Sequence, residues 1–312
     1  MSVYRLPERE ELAAFLAARG FELPIEVRAL GDGVSNINLH LVTDRGPLIL
    51  TLYEQFPAEQ LAPVLAWQQG LQGAGFPCPA LLTDADGALL GKLAGRPAAL
   101  FEYIEDDGRS LPPPGAVGEL LGRLHRIGSS RELVIDLQRA NPRGGEWLFA
   151  TAESLLPRLD ARDRDLLQQE LDYLARHSRL HLPSGPIHGD VFPDNLRVVD
   201  GRIRGLIDFE FACREVLLFD VAVAINAFCS RRDGRLDRRA MRDLLGAYNA
   251  LRPLEHDENL AIPMMLRATA LRFWLSRLEE SMQETGEGVL RKPADEFRLI
   301  LLQRQQPLSG MQ

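Results

Sequence analysis

A segment rich in glycine, proline and charge, EDDGRSLPPPG at residues 105–115, separates two parts of the chain with different hydrophobic patterns. It has no periodicity of its own, so we predict a hinge or linker there. Before it, apolar residues mainly alternate as in strands, and after it they recur with helical spacing. At about 150 residues per domain, a chain of 312 residues fits two lobes better than one core. We therefore predict an N-terminal lobe at 1–104 and a C-terminal lobe at 116–312.

The N-terminal part is predicted to form an antiparallel sheet accompanied by helices. A helix at about 7–18 precedes alternating strands within residues 26–53. Helical spacing returns at 58–74, and two further strands are expected near 89–93 and 98–104.

The C-terminal part is predicted to be mainly helical. Helices are expected at 116–126, 163–177, 217–229, 238–249, 262–281 and 293–305. The one interruption expected is a strand pair, LRVVD and IRGLIDF, joined at Asp200–Gly201. The fold class is therefore α+β, with a small antiparallel-sheet lobe and a larger helical lobe.

Charge and cysteine content exclude several functional classes. The 36 basic and 44 acidic residues give a net charge of −8, and no dense Lys/Arg stripe is present, so neither nucleic acid nor an anionic membrane is expected as a partner. No window reaches the roughly 18 apolar residues that a membrane span needs. The three cysteines form no CxxC pair, so neither a disulfide framework nor a zinc site is predicted. These features favour a cytoplasmic protein, and they carry no signal for an oligomeric state.

The stretch from Ile187 to Asn195, IHGDVFPDN, carries the strongest chemical signal, together with the IDF that ends at Phe209. A carboxylate in a loop, an amide five residues later and a second carboxylate after a hairpin bring oxygen donors to one rim. Phosphoryl transfer needs that set: Asp190 to accept the proton of an attacking hydroxyl, and Asn195 and Asp208 as hard oxygen ligands for Mg²⁺ on the nucleotide phosphates.

The HGDxxxxN and IDF pattern resembles the catalytic and metal loops of the protein-kinase-like superfamily, in its aminoglycoside and choline phosphotransferase branch. Within that branch the chain resembles the type II homoserine kinases nearly end to end. The segments that carry this resemblance are Ser2–Tyr4, ILTLYE, LAGRPAALFEYI, ANPRG at 140–144, IHGDVFPDN, IDFEFAC, DVAVAIN and ALRFWLSRL. The resemblance implies a two-lobe kinase-like fold, ATP and Mg²⁺ as cofactors, and phosphorylation of L-homoserine in threonine biosynthesis.

Two features depart from the general kinase pattern. The third strand places Thr51 where a kinase normally has the lysine that holds the α- and β-phosphates, and the following helix shows no glutamate in the facing position. Losing both partners of an ion pair leaves no orphan charge, so this is tolerable. The loop ending in Gly33, Ser35 and Asn36 resembles the nucleotide-covering loop of the family and is expected at the β-phosphate. The main chain of Glu102–Ile104 is expected at the adenine.

The acceptor, an amino acid with a primary hydroxyl, needs a cation for its carboxylate and acids or amides for its ammonium group. Arg267 and Arg272 are the candidates for the carboxylate, because a guanidinium binds a carboxylate through two hydrogen bonds. The candidates for the ammonium group are Asp194, Glu210 and Asn226. His188 and Asp220 are expected to brace the catalytic loop rather than to contact substrate.

Two alternatives stay open at this point. A kinase for an amino alcohol or an aminoglycoside would want an acidic pocket without arginine, so the environment of Arg272 distinguishes it from a homoserine kinase. An inert kinase-fold binding protein is suggested by the missing strand lysine, but it would have no reason to keep Asp190, Asn195 and Asp208 together.

Overall fold

The computed structural model describes residues 6–30, 36–130, 133, 137–177, 181–282 and 293–306. The predictions on Ser2–Tyr4, Gly33 and Ser35 lie outside these residues. The described chain forms a small lobe built on an antiparallel sheet and a larger, mainly helical lobe, which confirms the predicted α+β two-lobe architecture.

The N-terminal lobe is a six-stranded antiparallel sheet flanked by helices. Its elements are α1 (Arg9–Ala17), β1 (Glu26–Leu30), β2 (Asn36–Thr43), β3 (Gly46–Tyr53), α2 (Ala58–Gly73), β4 (Leu81–Leu82), β5 (Gly91–Leu93) and β6 (Arg96–Glu102). The strand order is β1-β2-β3-β6-β4, with β5 paired to β6. The two-residue alternation of β2 and β3 turns leucines of both strands toward α1, where Phe15 and Leu16 are buried against them.

Helix α2 joins the two lobes. Leu61 and Leu65 pack on the sheet, while Trp67 and Leu71 belong to the core of the larger lobe. The Trp67 ring lies 6.0 Å from the ring of Phe209, the residue that follows Asp208. The helix therefore couples the sheet to the segment that carries the predicted metal ligand.

The C-terminal lobe is a helical bundle with two short antiparallel strand pairs. Its elements are α3 (Pro114–Gly128), α4 (Gly145–Leu155), α5 (Ala161–His177), β7 (Ser184–Ile187), β8 (Leu196–Val199), β9 (Arg202–Leu206), β10 (Cys213–Val216), α6 (Leu218–Phe228), α7 (Arg238–Leu251), α8 (His256–Met282) and α9 (Ala294–Arg304). Strand β7 pairs with β10 and β8 with β9, both antiparallel. In the described ranges, no helix is long and apolar enough to cross a bilayer.

The structure differs from the sequence prediction at several elements. Helix α4, the two-residue strand β4 and the β7–β10 pair were not predicted. Strand β7 is only SGPI, and its proline and short length hide the alternation of a strand. Helix α8 begins at His256 rather than at 262 and continues through Pro263. A proline removes one backbone hydrogen bond, and the helix persists here because Ala261, Ile262 and Met265 are buried around it.

The connection between the lobes is fastened to the β8–β9 hairpin. The backbone N–H of Asp107 donates to the carbonyl of Val198 (2.9 Å), and the Asp106 carboxylate accepts from the Val198 N–H (3.1 Å). Because β8 begins directly after Asn195 and β9 ends just before Ile207, this contact ties the connection to the loops of the predicted site.

Candidate active site

Asp190 is presented by a loop whose shape depends on glycine. Strand β7 ends at Ile187, and Gly189 has φ +82°, a left-handed conformation that a residue with a side chain rarely adopts. A Cβ atom at Gly189 would also lie 3.0 Å from the carbonyl oxygen of Phe211. Glycine at this position therefore lets the loop turn against the segment that follows Asp208.

The carboxylate of Asp220 fixes this loop through hydrogen bonds to its backbone. Asp220 is fully buried near the start of α6 and accepts the backbone N–H groups of His188 (2.8 Å) and Gly189 (2.7 Å). His125 Nε2 lies 3.3 Å from the same carboxylate, and His125 Nδ1 lies 2.8 Å from the Tyr248 hydroxyl. The predicted bracing role of Asp220 is confirmed.

The His188 ring links the two candidate catalytic segments. Its Nε2–H donates to the carbonyl of Ile207 (3.0 Å), and its Nδ1 accepts the backbone N–H of Asp190 (3.2 Å). One ring nitrogen therefore donates and the other accepts, which is the pattern of a neutral imidazole. Burial lowers the pKa of His188 below its ordinary value of 6.5, although the charges of Asp220 and Asp190 oppose the shift. His188 has the bracing role that its sequence context predicted.

Asn195 is bonded directly to Asp190. Its Nδ2 group donates to the backbone carbonyl (2.8 Å) and to Oδ2 (2.9 Å) of Asp190. Because the amide nitrogen is used in this way, the amide oxygen is directed to the opposite side. The Asn195 carbonyl accepts the Ile207 N–H (2.9 Å), so the loop that ends at Asn195 and the strand that leads to Asp208 are held together.

Asp208 has a left-handed backbone, with φ 66° and ψ 60°, directly before a short 3₁₀ turn at Phe209–Phe211. Aspartate and asparagine are enriched among the residues that adopt this conformation. In the described residues, no group of three or more His, Cys, Asp and Glu side chains could hold a metal ion. The candidate donor set is therefore a carboxylate and an amide, from Asp208 and Asn195, and these hard oxygen donors suit Mg²⁺.

Electrostatics makes this part of the site strongly acidic. Glu210 is buried, and burial together with the charges of Asp208 and Asp190 raises its pKa to about 8, while Asn36 and Arg139 oppose the shift. The carboxyl groups of Asp190, Asp208 and Glu210 are therefore close enough to repel one another. A divalent cation would neutralise their negative charge. A divalent metal fits these residues.

The sheet lobe contributes two of the predicted nucleotide residues. Asn36, at the start of β2, donates from Nδ2 to Glu210 (2.7 Å) and so ties the sheet to the segment after Asp208. Thr51, on β3, is buried and donates its hydroxyl to Asn38 Oδ1 (2.7 Å). Threonine carries no charge, so Thr51 supplies no cation of its own at this position of β3.

The predicted adenine-binding segment, Glu102–Ile104, begins at the last residue of β6. The Glu102 N–H donates to the Ala80 carbonyl (3.0 Å), which fixes the end of this strand. Ile104 packs against the β8–β9 hairpin, where a Cβ atom at Gly205 would lie 2.4 Å from the Ile104 Cδ1 atom.

Arg272 reaches Asp190 from α8. Its side chain is buried, with 4% of the residue exposed, and its Nη1 lies 3.8 Å from Asp190 Oδ1. The guanidinium carbon stacks 3.8 Å from the centroid of the Phe273 ring. Its Nε is buried and has no hydrogen-bond partner among the described residues. Burial lowers the pKa of Arg272 to about 10, so the guanidinium stays charged at neutral pH.

Two other predicted acceptor residues have their side chains engaged elsewhere. Arg267 forms a two-point ion pair with the buried Glu170 (2.9 and 2.7 Å), and it lies about 140° around α8 from Arg272. Asn226 donates to the Leu266 carbonyl and to Thr269 Oγ1, and accepts from Arg304 Nε at 3.0 Å. The fifth candidate, Asp194, is exposed in the turn before Asn195.

Two arginines of the site were not singled out from the sequence. Arg139 donates to the carbonyls of Glu210 and Ala212 and stacks 4.3 Å from the Phe56 ring centroid, so it supports the segment after Asp208. Arg143 lies 5.9 Å from the Phe211 ring centroid. The only sequence signal for them was their position in and beside the ANPRG segment, which gave no role to either side chain.

Comparison with known proteins adds an independent line of support. A profile of the phosphotransferase enzyme family matches residues 26–254. A homoserine kinase of Methylobacillus flagellatus is 37% identical over 309 residues, covering 96% of this chain and 94% of that protein. A homoserine kinase of Rhodopseudomonas palustris is 38% identical over 302 residues, covering 95% of this chain and 91% of the relative.

Solved structures show the same fold at much lower identity. An amicoumacin kinase in complex with AMP-PNP, Ca²⁺ and Ami has a TM-score of 0.68 at 16% identity and covers 96% of this chain and 92% of its own. A choline/ethanolamine kinase family protein from Mesorhizobium loti has a TM-score of 0.60 at 18% identity, with coverage of 95% and 90%.

Proposed function

The chain belongs to the phosphotransferase enzyme family and, within it, to the homoserine kinases, and from this premise we propose that it transfers the γ-phosphoryl group of ATP to the side-chain hydroxyl of L-homoserine with Mg²⁺ as the metal. The resemblance identified from the sequence is thereby confirmed at the level of the family and its activity. The residue roles below are our proposals.

Asp190 is the proposed acceptor of the hydroxyl proton. Asn195 holds its Oδ2 at 2.9 Å and Arg272 lies near its Oδ1, so the carboxylate has a fixed orientation. No covalent intermediate is needed. Phosphoryl transfer depends mainly on positioning and on charge stabilisation, and an oriented carboxylate supplies the first of these to the attacking oxygen.

Asn195 and Asp208 are the proposed metal ligands. These two residues would hold Mg²⁺, which would supply positive charge to the phosphates of the nucleotide. The hydrogen bond between Ile207 and Asn195 keeps the two ligands in adjacent segments, and the left-handed conformation of Asp208 turns the chain directly after β9.

ATP is proposed to lie between the sheet lobe and these loops. The main chain of Glu102–Ile104 is assigned to the adenine, and the loop that contains Gly33, Ser35 and Asn36 to the β-phosphate. Thr51 takes the position of the usual strand lysine, so we infer that the metal and this loop neutralise the phosphates without a lysine.

The burial of Arg272 beside Asp190 is the observation that favours an amino acid acceptor over an amino alcohol or an aminoglycoside. A buried guanidinium beside the proposed base would repel a cationic acceptor, whereas it can bind a carboxylate. Its partnerless Nε supports this role, because a buried donor without a partner costs about 1–3 kcal/mol and a substrate carboxylate would satisfy it.

We also infer a cytoplasmic enzyme, since ATP is its phosphoryl donor and Cys78, Cys213 and Cys229 are all free, buried thiols.

The test is an ADP-release assay with L-homoserine, choline, ethanolamine and kanamycin as acceptors, in the presence of ATP and Mg²⁺. We expect a kcat/KM for L-homoserine at least about tenfold above that of each cationic acceptor, which corresponds to 1.4 kcal/mol or more. An equal or reversed preference would refute the homoserine assignment and leave only phosphoryl transfer.

A further inference from the structure

The inner face of α8 carries a carboxylate close to Arg272 that no part of the proposed mechanism uses. Arg272, Ser276 and Glu280 follow one another at intervals of four residues, so they lie on one face of the helix. The Ser276 hydroxyl donates to Glu280 Oε1 at 3.2 Å. The Glu280 side chain is therefore turned along the helix toward the preceding turn, in the direction of Arg272.

Arg143 and Phe211 lie close to this part of α8. Arg143 Nη1 donates to Glu279 Oε2 at 2.9 Å. The Phe211 ring centroid lies 5.9 Å from the guanidinium carbon of Arg143 and 5.6 Å from that of Arg272. Arg143 is thus paired with Glu279, and within the described ranges no arginine, lysine or histidine forms an ion pair with the neighbouring Glu280.

Charges of opposite sign alternate along this face. Asp190 and Glu280 are both close enough to raise the pKa of Arg272 against the dominant effect of burial, while Arg143 lowers it. Arg272 thus has Asp190 3.8 Å from its Nη1 at the proposed reacting end, and Glu280 about two turns further along α8. An α-amino acid with a terminal hydroxyl has the complementary charges, because its carboxylate and ammonium group share one carbon atom.

We propose that Glu280 binds the ammonium group of the acceptor while Arg272 binds its carboxylate, which directs the hydroxyl to Asp190. This inference rests on the proposed function and deepens it. It assigns recognition of the zwitterion to two side chains on one helix, and it moves the ammonium site away from Asp194, Glu210 and Asn226. A buried ammonium group needs a charged partner, and Glu280 can supply it, since among the described residues it forms no ion pair that would have to break.

The test measures the binding of two analogues of L-homoserine, each lacking one charged group, to two variants. The analogue 4-hydroxybutyrate lacks the ammonium group, and 3-aminopropan-1-ol lacks the carboxylate. The dissociation constant of L-homoserine is measured directly, and those of the two analogues are measured by competition with L-homoserine. Glu280→Gln is expected to weaken L-homoserine and 3-aminopropan-1-ol at least about tenfold and to change 4-hydroxybutyrate less than about threefold. Arg272→Gln is expected to weaken L-homoserine and 4-hydroxybutyrate instead.

Glu279→Gln is the matched control. It removes the adjacent carboxylate, which is bonded to Arg143 and has no proposed contact with the substrate. It is expected to change none of the three constants by more than about threefold, and Glu280→Asp should retain part of the affinity for the ammonium group. Melting curves of all variants verify folding. If Glu280→Gln weakens all three ligands equally, or none, the inference is overturned while homoserine turnover by the unmodified enzyme still supports the proposed function. Absence of that turnover would refute the function itself.

Discussion

The Nδ2 group of Asn195 lies 2.9 Å from Oδ2 of Asp190, so the proposed metal ligand also orients the proposed base. The amide has two ends with different chemistry, and its nitrogen is committed to the carboxylate. Only its oxygen remains for a metal. Base and metal ligand are therefore parts of one rigid unit, and substitutions can separate their roles only if they preserve shape.

Asp190→Asn preserves shape and removes the acceptor charge. Positioned general-base catalysis is commonly worth about 10² to 10⁴ in rate, so kcat should fall by that factor. The affinity for Mg·ATP should change less than about threefold. Stopped-flow or steady-state kinetics together with binding of a non-hydrolysable ATP analogue measure the two quantities.

The control for this prediction is Asp200→Asn, at the exposed β8–β9 turn, where asparagine also tolerates the left-handed backbone (φ 50°). It should leave both quantities unchanged. A loss of nucleotide affinity in Asp190→Asn with kcat preserved would contradict the assignment of Asp190 as the base.

Asp208→Asn should affect the metal instead. Asparagine accepts the φ of 66° at this position, so the backbone should not change. A neutral amide is a weaker ligand than a carboxylate for a hard cation. The Mg²⁺ concentration at half-maximal activity should therefore rise at least about tenfold. Titration of Mg²⁺ against binding of an ATP analogue checks this, and an unchanged Mg²⁺ requirement would argue against Asp208 as a ligand.

The lobes and the main site could be predicted from the sequence because both depend on local patterns. Alternation defines β2 and β3, helical spacing defines α3 and α6, and the spacing from Asp190 to Asn195 lies within one loop. Short elements without a pattern of their own, such as β7, escape this reasoning. They form only because β10 pairs with them.

The acceptor residues could not be predicted in the same way, because each depends on a partner far away in sequence. The spacing of Arg267 and Arg272 places them on different sides of α8, but the sequence does not show which side faces the site. The partner of Arg267 is Glu170, 97 positions away, while Arg272 meets Asp190. The pairing of Arg143 with Glu279 spans 136 positions. Only the packing of α8 against the loops decides which arginine faces the site.

Thr51→Ala tests how much the position of the missing lysine contributes. The hydroxyl of Thr51 donates to Asn38 Oδ1, a bond within the sheet. If phosphate binding depends on the metal and the covering loop, the KM for ATP should rise less than about tenfold, or 1.4 kcal/mol. Thr51→Ser keeps the hydroxyl and should match the unmodified enzyme. An increase of several orders of magnitude would show that Thr51 binds nucleotide directly.

Asp220→Ala should destabilise the fold and the catalytic loop together. It removes the acceptor of two buried backbone N–H groups, those of His188 and Gly189. At about 1–3 kcal/mol for each of the two unsatisfied buried groups, the free energy of unfolding in urea should fall by about 2–6 kcal/mol. Asp243→Ala, at an exposed site on α7, should change it by less than about 0.5 kcal/mol. A loss of similar size in both variants would contradict the bracing role.

His188 should make the stability of the fold depend on pH. Burial lowers its pKa in the folded state below 6.5, so above that pH the ring is neutral in both the folded and the unfolded chain and costs nothing. As the pH falls below about 6.5, the unfolded chain binds a proton that the folded chain does not. Stability must therefore decrease toward acid pH, by at most about 1.4 kcal/mol per pH unit for one proton.

His188→Gln isolates this contribution, because the glutamine amide can still donate toward the Ile207 carbonyl but does not titrate. Unfolding free energies of both proteins are measured in urea between about pH 8 and pH 5. Other titrating groups cancel in the difference between the two proteins. That difference should be constant above about pH 7.5 and should then shift in favour of the variant as the pH falls through 6.5. A difference that stays flat to pH 5 would mean that His188 takes up a proton in the folded state as readily as in the unfolded chain, and that its neutral, donating ring does not join the loop of Asp190 to the strand before Asp208.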